Sequence, residues 1–299
     1  MTDDGGRPRK ARLYALLTLM VFFWALNFVI GKVALRELPP LMVAALRTSM
    51  SGLIMWPVYF LGSSAREPEE SWSMADTPLL IGVGVFGVVV NQMLFVIGLS
   101  MTSVAHASVM TALVPITVLA IAAMAGQERV SHTKLVGMAI AVLGVGLLQL
   151  GRGSTHGPSL LGDFFVFLSG AAFAAFTVFG KALSTKHGSI TINTFAYVSG
   201  AIFLIPLTLW EVLRHPLRNI STGTWMSVGY MALFPAVLAY LIYSYALKHL
   251  PATRVSAFSY LQPLMATVLA AVLLSEMPGA GFLTGGALVL GGVYVTERG

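Results

Sequence analysis

Residues 108–128 read SVMTALVPITVLAIAAMAGQE, and residues 256–276 read SAFSYLQPLMATVLAAVLLSE. Slid by 148 residues, the two stretches superpose: Ser108 falls on Ser256, Leu113 on Leu261, Pro115 on Pro263, Ala122–Ala123 on Ala270–Ala271 and Glu128 on Glu276. The match runs past the glutamates, with Leu135 on Leu283, Gly137 on Gly285 and Gly144–Val145 on Gly292–Val293. A shift of 149 aligns the starts of the halves: Ala25 with Ala174, Val29 with Val178, Gly31–Lys32 with Gly180–Lys181, and Pro57 with Pro206. One proline and one glutamate at fixed separation, in corresponding places, mark an internal duplication. It divides the chain into residues 1–151 and 152–299.

What is duplicated is apolar. Of 299 residues, 57% are hydrophobic and 10% are charged, and the mean hydropathy is +0.82. A soluble domain covers its surface with about 25% charged residues, so a soluble enzyme does not fit. Thirty Gly and 15 Met suit helices packed closely in lipid. The lack of Cys excludes disulfides, iron–sulfur clusters and thiolate zinc sites.

A helix that crosses a bilayer needs about 20 mostly apolar residues. Ten runs meet that: Leu13–Val33, Leu41–Gly62, Leu79–Leu99, Val104–Ala125, Lys134–Leu150, Leu160–Leu183, Ile192–Leu213, Thr224–Leu247, Ala252–Leu274 and Gly281–Thr296. They are apolar all round, whereas membrane strands alternate, so the expected fold is all-α with ten transmembrane helices. A cleaved signal peptide is the other reading of the start, but its apolar run is long and holds Trp24 and Asn27. With the tail 1–12 in the cytoplasm, inside segments carry twelve Lys and Arg and outside loops five, among them Lys32, Arg36, Arg214 and Arg218. That bias places both termini inside. The longest polar gap, Ser63–Pro78, is an acidic loop with Glu67, Glu69, Glu70 and Asp76. Five spans per half is an odd number, so the second copy must sit upside down relative to the first. Inverted repeats belong to secondary transporters, which alternate between inward- and outward-open states. The competing reading is duplication that made a larger channel or scaffold.

Each half carries an Ala-rich turn, a Pro in the fourth helix, a Glu just past its end, and a Gly-rich fifth helix. In the first half these are Gly98 to Ser108, Pro115, Gly126-Gln-Glu128-Arg, then Gly137 and Gly144. In this the chain resembles the EamA-type drug/metabolite transporters from Leu13 to Thr296, and within them bacterial amino-acid exporters of the YddG kind. The resemblance implies ten helices in two inverted halves in a bacterial inner membrane, and export of aromatic or other neutral amino acids. The second copy departs from the pattern at Ser275-Glu276-Met277, so no role of Arg129 carries over there.

The residues within the spans point to the cargo. None of the twelve carboxylates lies mid-span, which disfavours carboxylate-driven proton exchange and fits a facilitator. A phosphorylated cargo would need paired cations, yet only Arg47 is clearly inside a span, and it is expected to snorkel or to pair with Glu37. Mid-span positions are instead neutral, polar and aromatic: Trp24 and Asn27, then Asn91, Gln92 and Phe95, then Thr111, then Tyr240 and Tyr243, then Ser259 and Tyr260. Under the 148-residue shift Gln92 falls on Tyr240 and Phe95 on Tyr243. Amides and hydroxyls can hold amino and carboxylate groups, and rings can stack on an apolar side chain, so these ten residues are the expected substrate contacts, in a site without formal charge. Each has a second reading as interhelical glue or packing. His106, the one histidine inside a span, suits an interfacial hydrogen bond better than proton relay.

Pro115 and Pro263 are expected gating hinges, with a static bend as the alternative. Glu128 and Glu276 read as polar helix ends, and Gly281-xxx-Gly285 and Gly170-xxx-Ala174 as scaffold stripes. Gly180-Lys181 lacks the rest of a phosphate loop, and His-Glu-x-x-His and Gly-x-Ser-x-Gly are absent. The expectation is a membrane carrier, not an enzyme. It has no cofactor, metal or nucleic-acid partner. It is a monomer or weak dimer that exports neutral or aromatic amino acids or similar small metabolites by alternating access. The alternatives are a proton-coupled exporter of another metabolite or drug, and, from another class, a membrane-embedded enzyme or a channel.

Overall fold

The computed structural model describes residues 10–62, 74–102, 104–148, 159–215, 217–274 and 281–299. The tail 1–9, the acidic stretch 63–73 and Glu276 lie outside them. Among the described residues every regular element is helical, and the segments line up as ten rods. These are α1 (Lys10–Ala34), α2 (Pro40–Leu61), α3 (Met74–Met101), α4 (Val104–Thr111 then Val114–Met124) and α5 (His132–Leu148). The second set is α6 (Leu160–Leu183), α7 (Ser189–Arg214), α8 (Thr222–His249), α9 (Ala252–Ala257, Phe258–Tyr260, Leu261–Leu274) and α10 (Phe282–Arg298).

Seven rods, α1 to α4 and α6 to α8, are long and apolar enough to cross a bilayer. The α5 and α10 rods have 17 residues each, at the short limit of a bilayer crossing. In α9 the 3₁₀ turn Phe258–Tyr260 interrupts the helix. The outer surface is apolar: Leu53, Leu61 and Met124 are 74%, 83% and 84% exposed. The interior holds buried polar groups, among them Asn27, Ser51, Asn91, Gln92 and Asn193. Water would reject that distribution and hydrocarbon accepts it.

Rods pack mainly on partners from the other half. The α1 rod lies on α8 and α9, α6 on α3 and α4, α2 on α7, and α5 on α10 along its length. The α5–α10 seam works because it has no side chains at its tightest points. A Cβ on Gly144 would meet Gly285 O at 2.7 Å and Val289 N at 2.7 Å, and one on Gly292 would meet Ala141 N at 2.5 Å.

Polar contacts at the rod ends fix their directions. At one end, Tyr14 near the start of α1 donates to Glu297 at the end of α10, and Arg254 near the start of α9 lies 3.9 Å from the same carboxylate. At that end too, Glu128 past α4 accepts from the Thr253 backbone N–H at 3.1 Å and from Lys134 at 2.7 Å. Gly126, at φ +68°, makes this possible by letting the Gln127 N–H reach back to Ala122 O at 2.9 Å, a left-handed helix stop. At the opposite end, Asp163 near the start of α6 accepts from Thr102 at 2.6 Å and meets His106 Nδ1 at 3.0 Å, both residues standing where α3 gives way to α4. So α1 and α6, equivalent in sequence, start at opposite ends of the bundle. Two matched lysines mark the same relation: Lys32 donates to Thr102 O at 2.7 Å and Lys181 to Leu247 O, each at the C-terminal end of a neighbouring rod. The breaks correspond as well. The α4 rod opens at Ala112–Leu113 and α9 at Phe258–Tyr260, and Pro115 and Pro263 stand just beyond, where helix resumes. The prolines restart a helix rather than bend a continuous one.

Gly144→Val and Gly292→Val each force a branched side chain onto backbone, an overpacking worth about 1–3 kcal/mol or more. Both should lower the unfolding midpoint of the detergent-solubilised protein, whereas Gly146→Ala, with open space around its Cβ, should not. A second outcome concerns acid. Burial works to raise the Glu128 pKa, but the hydrogen bonds from Lys134 and Thr253 outweigh it and hold the carboxyl below its ordinary value. A folded-state value below the unfolded one adds stability above the ordinary glutamate range, near pH ~4.3, and that stability is lost as pH falls through the folded value. Melting curves from pH 7 down to 3 should therefore fall more steeply for wild type than for Glu128→Gln.

Candidate functional site

Two stretches of π-helix organise the centre of the bundle: Val85–Val90 in α3 and Ala232–Leu238 in α8. They are counterparts under the repeat. A π turn inserts one residue, rotates the next turns of the helix and leaves carbonyls short of partners. In α8, Pro235 has no N–H to give to Met231 O one turn back. Side chains from other rods take up the slack. Arg47 reaches Met231 O at 3.4 Å, Ser51 donates to Ala232 O at 3.1 Å, Trp24 to Pro235 O at 2.9 Å and Tyr197 to Ala236 O at 3.2 Å. In α3, Gly87 O accepts from Tyr240 at 3.2 Å. Right after the two π stretches come Asn91-Gln92 and Ala239-Tyr240.

Between these stretches lies a hollow with about 560 Å³ of unfilled space, the solvent at its mouth included. Its aromatic wall is Trp24, Phe28, Phe95, Phe173 and Tyr240. The Trp24 and Phe173 rings meet edge to face at 5.4 Å, and Phe173 meets Tyr240 at 5.7 Å. Asn27, Asn91, Gln92, Thr111, Ser169, Ser259 and Gln262 form the polar wall. Tyr240 OH donates to Asn91 Oδ1 at 3.1 Å and faces Gln92 Nε2 at 3.5 Å, while Asn91 Nδ2 donates to Ser169 O at 2.9 Å. Asn27 Oδ1 is buried without a partner.

Eight of the ten expected contacts line the hollow: Trp24, Asn27, Asn91, Gln92, Phe95, Thr111, Tyr240 and Ser259. Tyr243 and Tyr260 do not. Tyr243 is turned toward α6, where its hydroxyl shares a 2.8 Å hydrogen bond with Thr177, and its ring stands behind Trp24 and Phe173. Tyr260 ends a 3₁₀ turn, whose three-residue period puts Ser259 and Gln262 on one face and leaves Tyr260 buried in the core.

Arg47 corrects a further expectation. It neither snorkels nor pairs with Glu37, whose carboxylate accepts from the Ser221 N–H at 2.8 Å. That hydrogen bond holds the Glu37 pKa below its ordinary value. Arg47 is 2% exposed and lines the hollow, so the site carries a formal charge. Its one sequence signal was the cost of an arginine inside a span. Gly170, expected as scaffold, also lines the hollow, as do Ser169 and Phe173 of α6. Among the described residues, no three of His, Asp and Glu converge as a metal site.

The lining is paired across the repeat. Trp24 corresponds to Phe173, Gln92 to Tyr240, Thr111 to Ser259 and Val114 to Gln262, and all eight face the hollow.

Comparison with known proteins agrees with this duplication. The profile of the EamA-like transporter family matches residues 12–150 and again 160–298. An "Uncharacterized transporter" of Archaeoglobus fulgidus is 30% identical over 95% of this chain and 98% of its own length. A "Probable amino-acid metabolite efflux pump" of Salmonella typhimurium is 29% identical over 97% of this chain and 96% of its own. A solved crystal structure shares the fold, with a TM-score of 0.75 at 17% identity over 96% of this chain and 97% of that one.

Proposed function

The chain belongs to the EamA-like transporter family, a multi-pass membrane protein and not an enzyme, and on that premise we propose that it exports amino acids or similar small metabolites by alternating access. In this reading the ten rods all lie in the membrane as two inverted repeats, residues 1–151 and 152–299. The lysine and arginine bias puts both termini in the cytoplasm, and the membrane is the plasma membrane of a prokaryote. One observation carries the reading: four pairs of counterparts, one residue of each pair from either half, line the same hollow. An inverted pair of repeats that exchange conformations opens one shared site first to one side and then to the other. The opposite starts of α1 and α6 support the inversion, and the matched breaks before Pro115 and Pro263 are the places where α4 and α9 can change direction. Relatives named as efflux pumps support the direction of transport.

The lining supports the cargo. Rings of Trp24, Phe173 and Tyr240 offer apolar faces and edges to an aromatic or branched side chain. Amides of Asn91 and Gln92 can exchange their present partners for a ligand. None of the carboxylates of the sequence stands mid-span to carry a proton, so transport runs down the substrate gradient.

Proteoliposomes preloaded with unlabelled phenylalanine or leucine should take up the labelled amino acid by counterflow, at a rate indifferent to an imposed pH gradient. No exchange above protein-free vesicles for any of the common amino acids would sink this function. In the same vesicles Tyr240→Phe, which removes the hydroxyl that Asn91 and Gln92 face, should cut exchange several-fold. Tyr243→Phe should leave exchange near wild type and instead cost about 0.5–1.5 kcal/mol of stability through its lost bond to Thr177.

A further inference from the structure

The hollow holds one formal charge, and that charge is unanswered. Two nitrogens of Arg47, Nε and Nη1, are buried with no hydrogen-bond partner. The third meets Met231 O at 3.4 Å, at the long edge of hydrogen bonding. No Asp or Glu stands among the described residues lining the hollow. Lys32 and Lys181 show how the fold treats a cation it means to keep: each is delivered to a carbonyl at the end of a neighbouring helix. Arg47 is given no such end. An arginine stays charged at any physiological pH, and a buried, unpaired charge is costly unless something pairs it.

We propose that Arg47 is the receptor for a carboxylate on the transported molecule, so that the cargo class is small carboxylates with an apolar or aromatic tail. The inference rests on the carrier function proposed above and narrows it. A guanidinium with its donors free matches the two oxygens of a carboxylate. A phosphate dianion would call for a second cation, and among the described residues no Lys, His or other Arg lines the hollow. A cationic cargo without a carboxylate is repelled by Arg47 and finds no carboxylate among the described lining to offset that. The rings of Trp24, Phe28 and Phe173 receive the tail. Bound cargo thereby supplies the counter-charge that no Asp or Glu of the described lining provides, and the loaded carrier crosses its closed state with Arg47 neutralised.

The test compares 3-phenylpropanoate, phenylalanine and phenylalaninamide as competitors and as counterflow substrates of the full chain in proteoliposomes. Wild type should prefer both acids over the amide by about tenfold or more, the worth of a charge-assisted hydrogen bond. Arg47→Gln should bring the three to parity and, in detergent without ligand, should melt no lower than wild type, because it removes an unpaired charge. Should Arg47→Gln fail to fold, Arg47→Lys keeps the charge without the planar fork and should retain a weakened preference for the acids. A wild type that exchanges phenylalaninamide as well as phenylalanine overturns the role of Arg47 and leaves the carrier function standing. A wild type that exchanges neither acid overturns the role of Arg47, and failure of every common amino acid as well overturns the carrier function.

Discussion

The structure depends on satisfying backbone polar groups where no water can do it. In hydrocarbon a free carbonyl has no solvent to turn to, so a long apolar helix is the default and any departure must be covered by protein. The π stretches in α3 and α8 are such departures. Carbonyls of α8 are covered by Trp24 of α1, Ser51 of α2 and Tyr197 of α7, and Gly87 O of α3 by Tyr240 of α8. A local loss of helix bonds thus becomes a bond between rods, most of them from different halves. The same irregularity sets up the site, because the residues just beyond each π turn are rotated into the space between the halves.

Close packing and open space are divided between regions of the bundle. The α5–α10 seam is shut by glycines that let backbones touch, and it holds no part of the hollow. The α1, α3, α6 and α8 rods carry the large rings that prevent such an approach at the centre. Trp24, Phe173 and Tyr240 prop one another at ring distances of 5.4–6.1 Å. Under the proposed carrier function, a tightly packed seam beside a propped centre suits a site that closes around a small molecule, since movement confined to breaks such as Ala112–Leu113 need not disturb the seam.

The duplication, the apolar rods and the helical class were legible in the sequence because each is a matter of period and composition. Eight residues of the hollow were legible for the same reason: they are polar or aromatic where a lipid-facing helix would have neither. The π turns were not. One inserted residue leaves no trace in hydropathy, yet it decides that Tyr240 faces the hollow and Tyr243 faces α6. Tyr260 was lost likewise to a change of helical period. Arg47 was visible as an anomaly but was assigned to the interface, because a side chain's reach toward the surface cannot be told from its reach toward the centre without knowing which face of α2 meets α8.

The scaffold repeats, but the chemistry of the hollow does not. Trp24 answers Phe173 and Thr111 answers Ser259, which are like for like, whereas Gln92 answers a tyrosine, Val114 answers a glutamine, and the counterpart of Arg47 is Ala196, buried on α7. Symmetry in the rods is needed because the two end states must be nearly equal in energy for a carrier to pass between them. Symmetry in the recognition groups is not, since a small molecule has one polar end and one tail. Under the proposed carrier function this is the division to expect: the halves are alike in helix breaks, capping lysines and prolines and differ at several of the side chains that a ligand would touch.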